Sequence, residues 1–83
     1  MDRTERFYRI DRLLSTGAPV SFARLQDELG VSRAQLKRDL AYMRDRLNAP
    51  IDYDRDANGY RRGAPRAGPR YELPGLWFSA AEI

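Results

Sequence analysis

Apolar residues in the first half of the chain recur every three or four positions, which is the spacing of one face of an α-helix. The first series precedes a turn-forming stretch at residues 15–19 and consists of Phe7, Ile10, Leu13 and Leu14. Asp2, with Glu5 three positions later, is typical of a helix N-terminus. The pattern predicts a first helix that begins near Asp2 and ends before residue 15.

A second, shorter helix is predicted for the segment FARLQDEL. Val20 is a single apolar residue ahead of it, and Ser21 is suited to cap its N-terminus. Its apolar face consists of Phe22, Leu25 and Leu29. Gly30 follows directly, and we expect it to end the helix in a left-handed conformation.

The third predicted helix starts at Ser32, with Gln35 as the reciprocal partner of a capping box. It runs to about Asn48, because the residue before Pro50 is disfavoured in a helix. On a helical wheel its buried stripe consists of Leu36, Leu40, Met43 and Leu47.

After Pro50 the apolar period changes from near 3.6 to 2, which is typical of a β-strand. Ile51 and Tyr53 precede the turn residues, and Tyr60 follows them. Asn58-Gly59 indicates a tight turn because both residue types tolerate positive φ. We predict a two-stranded hairpin in which the two tyrosines serve packing rather than base stacking.

The order of helix, short strand, helix, three-residue turn, helix and hairpin predicts a winged helix-turn-helix, a mainly α fold with a small β hairpin. Apolar residues and a glycine occupy the positions that the turn needs: Leu25, Leu29, Gly30, Val31 and Leu36. Two positions depart from the usual pattern. Gln26 stands where a small residue is common, and Asp39 stands where an aliphatic one is common.

Residues 63–69, GAPRAGP, are too small and too rich in proline to supply a core, so we expect a linker or loop. The predicted division is a DNA-binding domain at 1–62, followed at 63–83 by a linker and the start of a following, absent region. Trp77 and Phe78 are expected to pack on the first helix or on that region. Ser79 and Glu82 resemble a capping box with no helix behind it, which suggests a longer protein; a natural tail is the alternative.

Composition excludes several kinds of chemistry. The chain of 83 residues has no cysteine and no histidine, which removes disulfides, the usual zinc sites, thiol nucleophiles and imidazole bases. We therefore expect no enzyme and no cofactor. No apolar run reaches the roughly 18 residues of a membrane span, and no signal peptide is recognisable, so we expect a cytoplasmic protein without a membrane partner.

The net charge is only +3, but fourteen of the fifteen cationic side chains are arginines. Their placement is more informative than their number. The N-terminal half of the third helix carries no acid and holds Arg33, Ala34, Gln35, Lys37 and Arg38. A recognition helix lays this half into the major groove of double-stranded DNA. The basic side chains can read guanine, Gln35 can pair with adenine, and Ala34 can contact a thymine methyl group.

Other residues are candidates for contacts around this helix. Tyr42 lies on its flank, and hydroxyls near helix N-termini could meet phosphates at Thr4, Ser21 and Ser32, although the two serines could equally be plain caps. In the wing, Arg55 lies at an acidic tip. Arg61 and Arg62 begin an acid-free basic segment that continues through Arg66 and Arg70. That segment could follow the DNA backbone or minor groove, or it could be a solvated linker.

The second half of the third helix is charge-balanced. We expect Arg44 and Arg46 to form surface pairs with acids on the same helix, so they are not DNA candidates. Asp39 lies between the basic cluster and the apolar stripe. Its expected role is to orient Arg38 or an arginine of the first or second helix.

The segment LGVSRAQLKRDL resembles the recognition segment of DeoR-type bacterial regulators, with Lys37 and Arg38 at the basic pair and Gln35 in place of a threonine. The later segments APIDYDRDANGYRR and YELPGLWFSAAEI resemble the N-terminal region of WYL-domain transcriptional regulators. The resemblance implies a DNA-binding module ahead of a ligand-sensing domain, in a protein that could be a homodimer. A winged helix that binds protein is the alternative.

Overall fold

The computed structural model describes residues 1–73, in which three helices are followed by a hairpin. In chain order the elements are α1 (Arg3–Leu14), α2 (Phe22–Leu29), α3 (Arg33–Asp45), β1 (Ile51–Asp54) and β2 (Gly59–Arg62). This order confirms the predicted winged helix. Trp77, Phe78, Ser79 and Glu82 lie outside the described residues.

Each helix begins at the polar residue that the sequence predicts. Oδ1 of Asp2 accepts a hydrogen bond from the Glu5 N–H at 2.9 Å. Ser21 Oγ accepts from the Arg24 N–H at 3.1 Å, and Ser32 Oγ accepts from the Gln35 N–H at 3.1 Å. These side chains satisfy backbone donors that the first turn leaves free, so local chemistry fixes where the helices start.

Between α2 and α3 the chain reverses at Gly30, whose φ of 63° is left-handed, as predicted. The capping box at the start of α3 is only half formed. The Gln35 side chain does not return to Ser32, because its oxygen accepts from Arg38 while its nitrogen donates to Asp39. The prediction of a reciprocal partner was therefore wrong, and a tertiary contact takes its place.

Helix α3 ends at Asp45, three residues earlier than the sequence pattern indicates. Asn48 has a φ of 58°, a left-handed conformation that asparagine tolerates better than most residues. Its side-chain amide donates to the carbonyls of Ala67 at 3.2 Å and Pro69 at 2.7 Å. The segment at residues 67–69 thus fixes the backbone that follows the C-terminal end of α3.

The hairpin pairs Tyr53 with Tyr60, and four residues at 55–58 form its turn. Only Asn58 has a positive φ, of 51°. Gly59 lies in β2, where the lack of a side chain lets another part of the backbone come close. A Cβ at this position would lie only 3.1 Å from Pro19 Cβ. The predicted turn is thus present, and the tolerance for positive φ that indicated it is used at Asn58 and not at Gly59.

Val20 joins the hairpin as a third, single-residue strand. Val20 and Tyr60 exchange two backbone hydrogen bonds of 2.7 Å each. The loop between α1 and α2 is therefore fixed to the wing, and Gly59 is needed because this loop passes directly over it.

The core lies where the three helices meet the hairpin. Its buried apolar side chains are Phe7, Ile10, Leu14, Val20, Leu25, Leu29, Leu36, Leu40, Met43, Ala49, Ile51 and Leu73. Leu73 is 2% exposed, and Tyr71 packs beside this cluster. The packed unit thus reaches beyond residue 62, and the division into domains at that point stays a prediction.

Polar contacts also hold the segment after the hairpin. Tyr71 donates its hydroxyl to Asp11 Oδ1 of α1 at 2.9 Å. Burial and the nearby negative charge of Asp11 raise the pKa of Tyr71 well above its ordinary value, so the hydroxyl remains a donor at any physiological pH. Arg66 donates to the Arg44 carbonyl at 3.2 Å, at the C-terminal end of α3.

If the segment after residue 62 is part of the folded unit, Leu73→Ala should destabilise it. Removing a buried leucine side chain costs about 2–5 kcal/mol in the free energy of unfolding. Glu72→Ala, at an exposed neighbour, is the matched control and should change stability by less than about 0.5 kcal/mol. Equal midpoints of urea unfolding for the two variants would contradict a packed role for Leu73.

Candidate nucleic-acid interface

The N-terminal half of α3 presents a basic surface without acids. Arg33, Ala34, Lys37 and Arg38 are exposed, and Gln35 is half-buried. Leu36 and Leu40 on the opposite side are buried in the core. The structure therefore places all five sequence-predicted residues at or beside one outward face of this helix.

Gln35 is connected to the protein interior through a buried carboxylate. Its Nε2 donates to Asp39 Oδ1 at 2.9 Å, one helical turn away. Asp39 is only 2% exposed and also accepts from Arg6 of α1, whose Nε lies 2.7 Å from Oδ2. A second bond from Arg6 reaches Oδ1 at 3.3 Å. The expectation that Asp39 orients an arginine of the first helix is confirmed.

The ion pair between Arg6 and Asp39 is largely shielded from water, with side-chain exposures of 15% and 2%. The hydrogen bond to Asp39 raises the pKa of Arg6 above its ordinary value. An ion pair of this kind ties two helices together, since either charge left alone in this position would be costly. The sequence pattern did not single out Arg6, because nothing in it distinguishes Arg6 from the other four arginines of α1 and α2.

Arg38 contacts the outer end of the same amide. Its guanidinium donates to Gln35 Oε1 at 3.1 Å. Both polar ends of Gln35 are thus engaged within the protein. Bidentate pairing of Gln35 with adenine, the predicted role, would require both of these bonds to be exchanged.

Arg33 is held against the start of α2. Its guanidinium carbon lies 5.0 Å from the centre of the Phe22 ring, within the range of a cation–π contact. The Phe22 ring contacts the Tyr60 ring, with 6.4 Å between their centres, and the Tyr60 ring contacts the Tyr53 ring, with 5.0 Å between centres. This row of three rings connects the first residue of α3 to the wing. Tyr60 packs against the core, as predicted, whereas Tyr53 contacts Tyr60 but is 45% exposed.

Tyr42 lies on the side of α3 that faces α1. Its ring stacks on Phe7 with 5.6 Å between centres. The Arg3 guanidinium lies 4.5 Å from the Tyr42 ring centre. Tyr42 as a DNA contact therefore stays a prediction, and Arg3 is a basic side chain in this region that the sequence pattern did not single out.

Two of the three arginines predicted in the wing are paired with acids. Arg61 lies 3.3 Å from Asp54 within the hairpin. Arg62 forms an ion pair with Asp11 and also donates to the Asp11 carbonyl at 3.1 Å, which fixes the wing to α1. Arg55 is exposed at the turn. Of these three, Arg55 needs the least rearrangement to meet a phosphate.

The capping serines each keep a hydroxyl hydrogen that their capping bond does not use. Ser21 and Ser32 accept backbone N–H groups through their oxygens, which leaves each hydroxyl hydrogen available to a phosphate. Both side chains are exposed, and both precede helices whose N-terminal ends favour anions.

The predicted surface pairs of the second half of α3 are not observed. Within residues 1–73, neither Arg44 nor Arg46 has a carboxylate within ion-pair distance. The predicted basic arm lies beside this half of the helix, since Arg66 contacts the Arg44 carbonyl. In this conformation Arg66 is at the end of α3 opposite to the basic surface.

Comparison with known families agrees with the geometry of α2, the turn at Gly30 and α3. Residues 5–61, more than half of the chain, match the HTH domain family. The chain belongs to the HTH domain family. Membership supports DNA binding by the helix-turn-helix. Neither the search of curated proteins nor the search of solved structures gave a match.

The matched region of this HTH domain includes α2, α3 and most of the wing. It begins inside α1, one residue before Arg6, so the ion pair between Arg6 and Asp39 lies wholly within it. None of the described helices combines the length and the apolar character needed to cross a bilayer.

The buried ion pair should be energetically coupled. Asp39→Ala should cost about 2–4 kcal/mol in the free energy of unfolding, because it leaves Arg6 without its carboxylate in a largely buried position. Arg6→Leu should cost a similar amount by stranding Asp39. The double variant should be more stable than the sum of the two losses predicts, as a double-mutant cycle with chemical denaturation can measure. Additive losses would mean that the pair contributes nothing as a pair.

Proposed function

We propose that this HTH domain binds double-stranded DNA sequence-specifically as the DNA-reading module of a transcriptional regulator. The observation that carries the proposal is the acid-free, exposed N-terminal half of α3, which follows directly on the turn of a helix-turn-helix. A helix in this position enters the major groove with its first residues toward the base edges. The buried stripe on its other side keeps that face outward.

The proposed base-reading residues are Arg33, Lys37 and Arg38, with Ala34 allowing close approach. Arginine and lysine donate to guanine O6 and N7 in the major groove. Arg38 is already oriented by its bond to Gln35, and Arg33 by its stacking on Phe22. Orientation before binding lowers the entropy lost when a long side chain meets its base.

Phosphate contacts are proposed for the surrounding side chains. Ser21 and Ser32 would donate their hydroxyls at the N-terminal ends of α2 and α3. Arg55 would reach the backbone from the wing. Arg61 and Arg62 could take part only if phosphate replaced Asp54 or Asp11 as their partner, which makes their contribution smaller than that of Arg55.

We further propose that the parent protein is a bacterial, cytoplasmic regulator of the WYL type. The support is the resemblance of YELPGLWFSAAEI and of LGVSRAQLKRDL to segments of such regulators. The partner in the same protein would be a ligand-sensing domain after residue 83, and the full-length protein could be a homodimer that reads paired half-sites.

Binding should weaken steeply with salt. For about five to seven phosphate contacts, log affinity should fall with log salt concentration at a slope near −5. Lys37→Ala should weaken binding and reduce that slope by about 1. Fluorescence anisotropy titrations of a labelled duplex between 50 and 200 mM salt, roughly the range over which such contacts dominate, would measure both.

Arg46→Ala is the matched control, since it removes one positive charge from an exposed residue at the C-terminal end of α3, away from the proposed DNA-facing half. It should leave the slope within experimental error. A flat salt response in the wild type would contradict DNA binding altogether. If Lys37→Ala changed the oligomeric state on a sizing column and left duplex affinity untouched, the protein-binding alternative would replace this proposal.

A further inference from the structure

Four polar side chains form a continuous chain of hydrogen bonds from α1 to the outer face of α3. The chain runs from Arg6 to Asp39 at 2.7 Å, from Asp39 to Gln35 at 2.9 Å, and from Gln35 to Arg38 at 3.1 Å. It starts beside the core and ends at an exposed guanidinium. We call these four residues the relay.

The donors and acceptors of these four side chains allow the hydrogen bonds of the relay to run in only one direction. An ionised carboxylate only accepts hydrogen bonds, so Asp39 can hold Gln35 only by the amide nitrogen. The amide oxygen of Gln35 must then point away from Asp39, toward Arg38. A guanidinium only donates, so Arg38 fits that oxygen and would repel the nitrogen. Each orientation in the chain therefore follows from the one before it.

Arg6 holds the first member of the relay in place. Asp39 is 2% exposed, and burying a carboxylate is costly unless it is paired and hydrogen-bonded. Arg6 supplies two donors, through Nε and Nη2, in the two-pronged geometry that suits a carboxylate. Gln35 alone offers one neutral donor, so without Arg6 the orientation of the Asp39 carboxylate would no longer be fixed.

We propose that Arg6, although it lies on α1, is a positioning residue that determines the base preference of α3 through Asp39 and Gln35. The inference rests on the proposed DNA-reading function and deepens it. The relay holds Arg38 for one guanine, and it turns Gln35 from a reader of adenine into a support for Arg38. The guanidinium of Arg38 keeps most of its donors free, because the bond to Gln35 uses one of five.

If the relay orients Arg38, removing Arg6 at its interior end should reduce the preference for guanine. Arg6→Leu should reduce discrimination at the base that Arg38 reads by about 5-fold or more, the lower end for one bidentate contact. Arg9→Leu is the matched control, because Arg9 is an exposed arginine of the same helix outside the relay. Both variants lose one charge, so any general loss of affinity should be the same in the two.

A second variant changes the hydrogen-bond donors and acceptors of residue 39 with little change in the shape or size of its side chain. Asp39→Asn puts a donor and an acceptor where the carboxylate has only acceptors, so the Gln35 amide is free to turn over. The base preference should change as it does in Arg6→Leu. Arg6→Lys keeps a charged donor for Asp39 and should retain the wild-type preference to within about 3-fold, since lysine replaces a two-pronged contact by a single one.

The experiment is selection of bound duplexes from a random pool with the wild type and these four variants, each first shown to be folded by circular dichroism. We expect a guanine in the wild-type, Arg9→Leu and Arg6→Lys motifs that weakens in Arg6→Leu and Asp39→Asn. If Arg6→Leu does not fold, the test is the comparison of the motifs selected by Asp39→Asn and by Arg6→Lys. An unchanged motif in the folded Arg6→Leu and Asp39→Asn variants would overturn the relay alone, whereas a wild type that selects no motif would overturn the proposed function and the relay together.

Discussion

The buried carboxylate of Asp39 is the constraint on which the DNA-facing surface depends. A carboxylate that is 2% exposed must be supplied with donors from within the protein. Arg6 of α1 and Gln35 of α3 supply them, and in doing so they fix the position of α3 against α1 and the direction of the Gln35 amide. The core alone would permit small rotations of a helix, because apolar contacts are not directional.

Charge placement divides the many arginines of this small protein into two groups. Three arginines of the wing and of the segment after it are occupied within the protein: Arg61 and Arg62 by acids, and Arg66 by a helix carbonyl. Arg55, at the hairpin turn, is exposed. The side chains at the start of α3 face solvent, and their contacts are with neutral groups that leave their charge uncompensated. A polyanion would therefore meet an effective positive surface that the net charge of +3 does not reveal.

The wing is attached to the helices at three points, which makes the hairpin part of the core rather than an appendage. Val20 pairs with Tyr60, Arg62 binds Asp11, and Ile51 is buried among the helices. A two-stranded hairpin is marginal by itself in water, so these attachments are what keep its geometry. Tyr71 also binds Asp11, so the chain after the hairpin stabilises the same junction.

The sequence by itself determined the starts of the helices, the turn at Gly30 and the hairpin, because caps, helical periodicity and left-handed residues act over three or four positions. It also indicated the acid-free half of α3 and an arginine partner for Asp39, either Arg38 or an arginine of the first or second helix. Only the tertiary structure decided that this partner is Arg6, that Gln35 supports Arg38, that Gly59 is required by close approach and that Leu73 completes the core. These outcomes depend on groups brought together from distant parts of the chain, and neither spacing nor composition records which distant groups will meet.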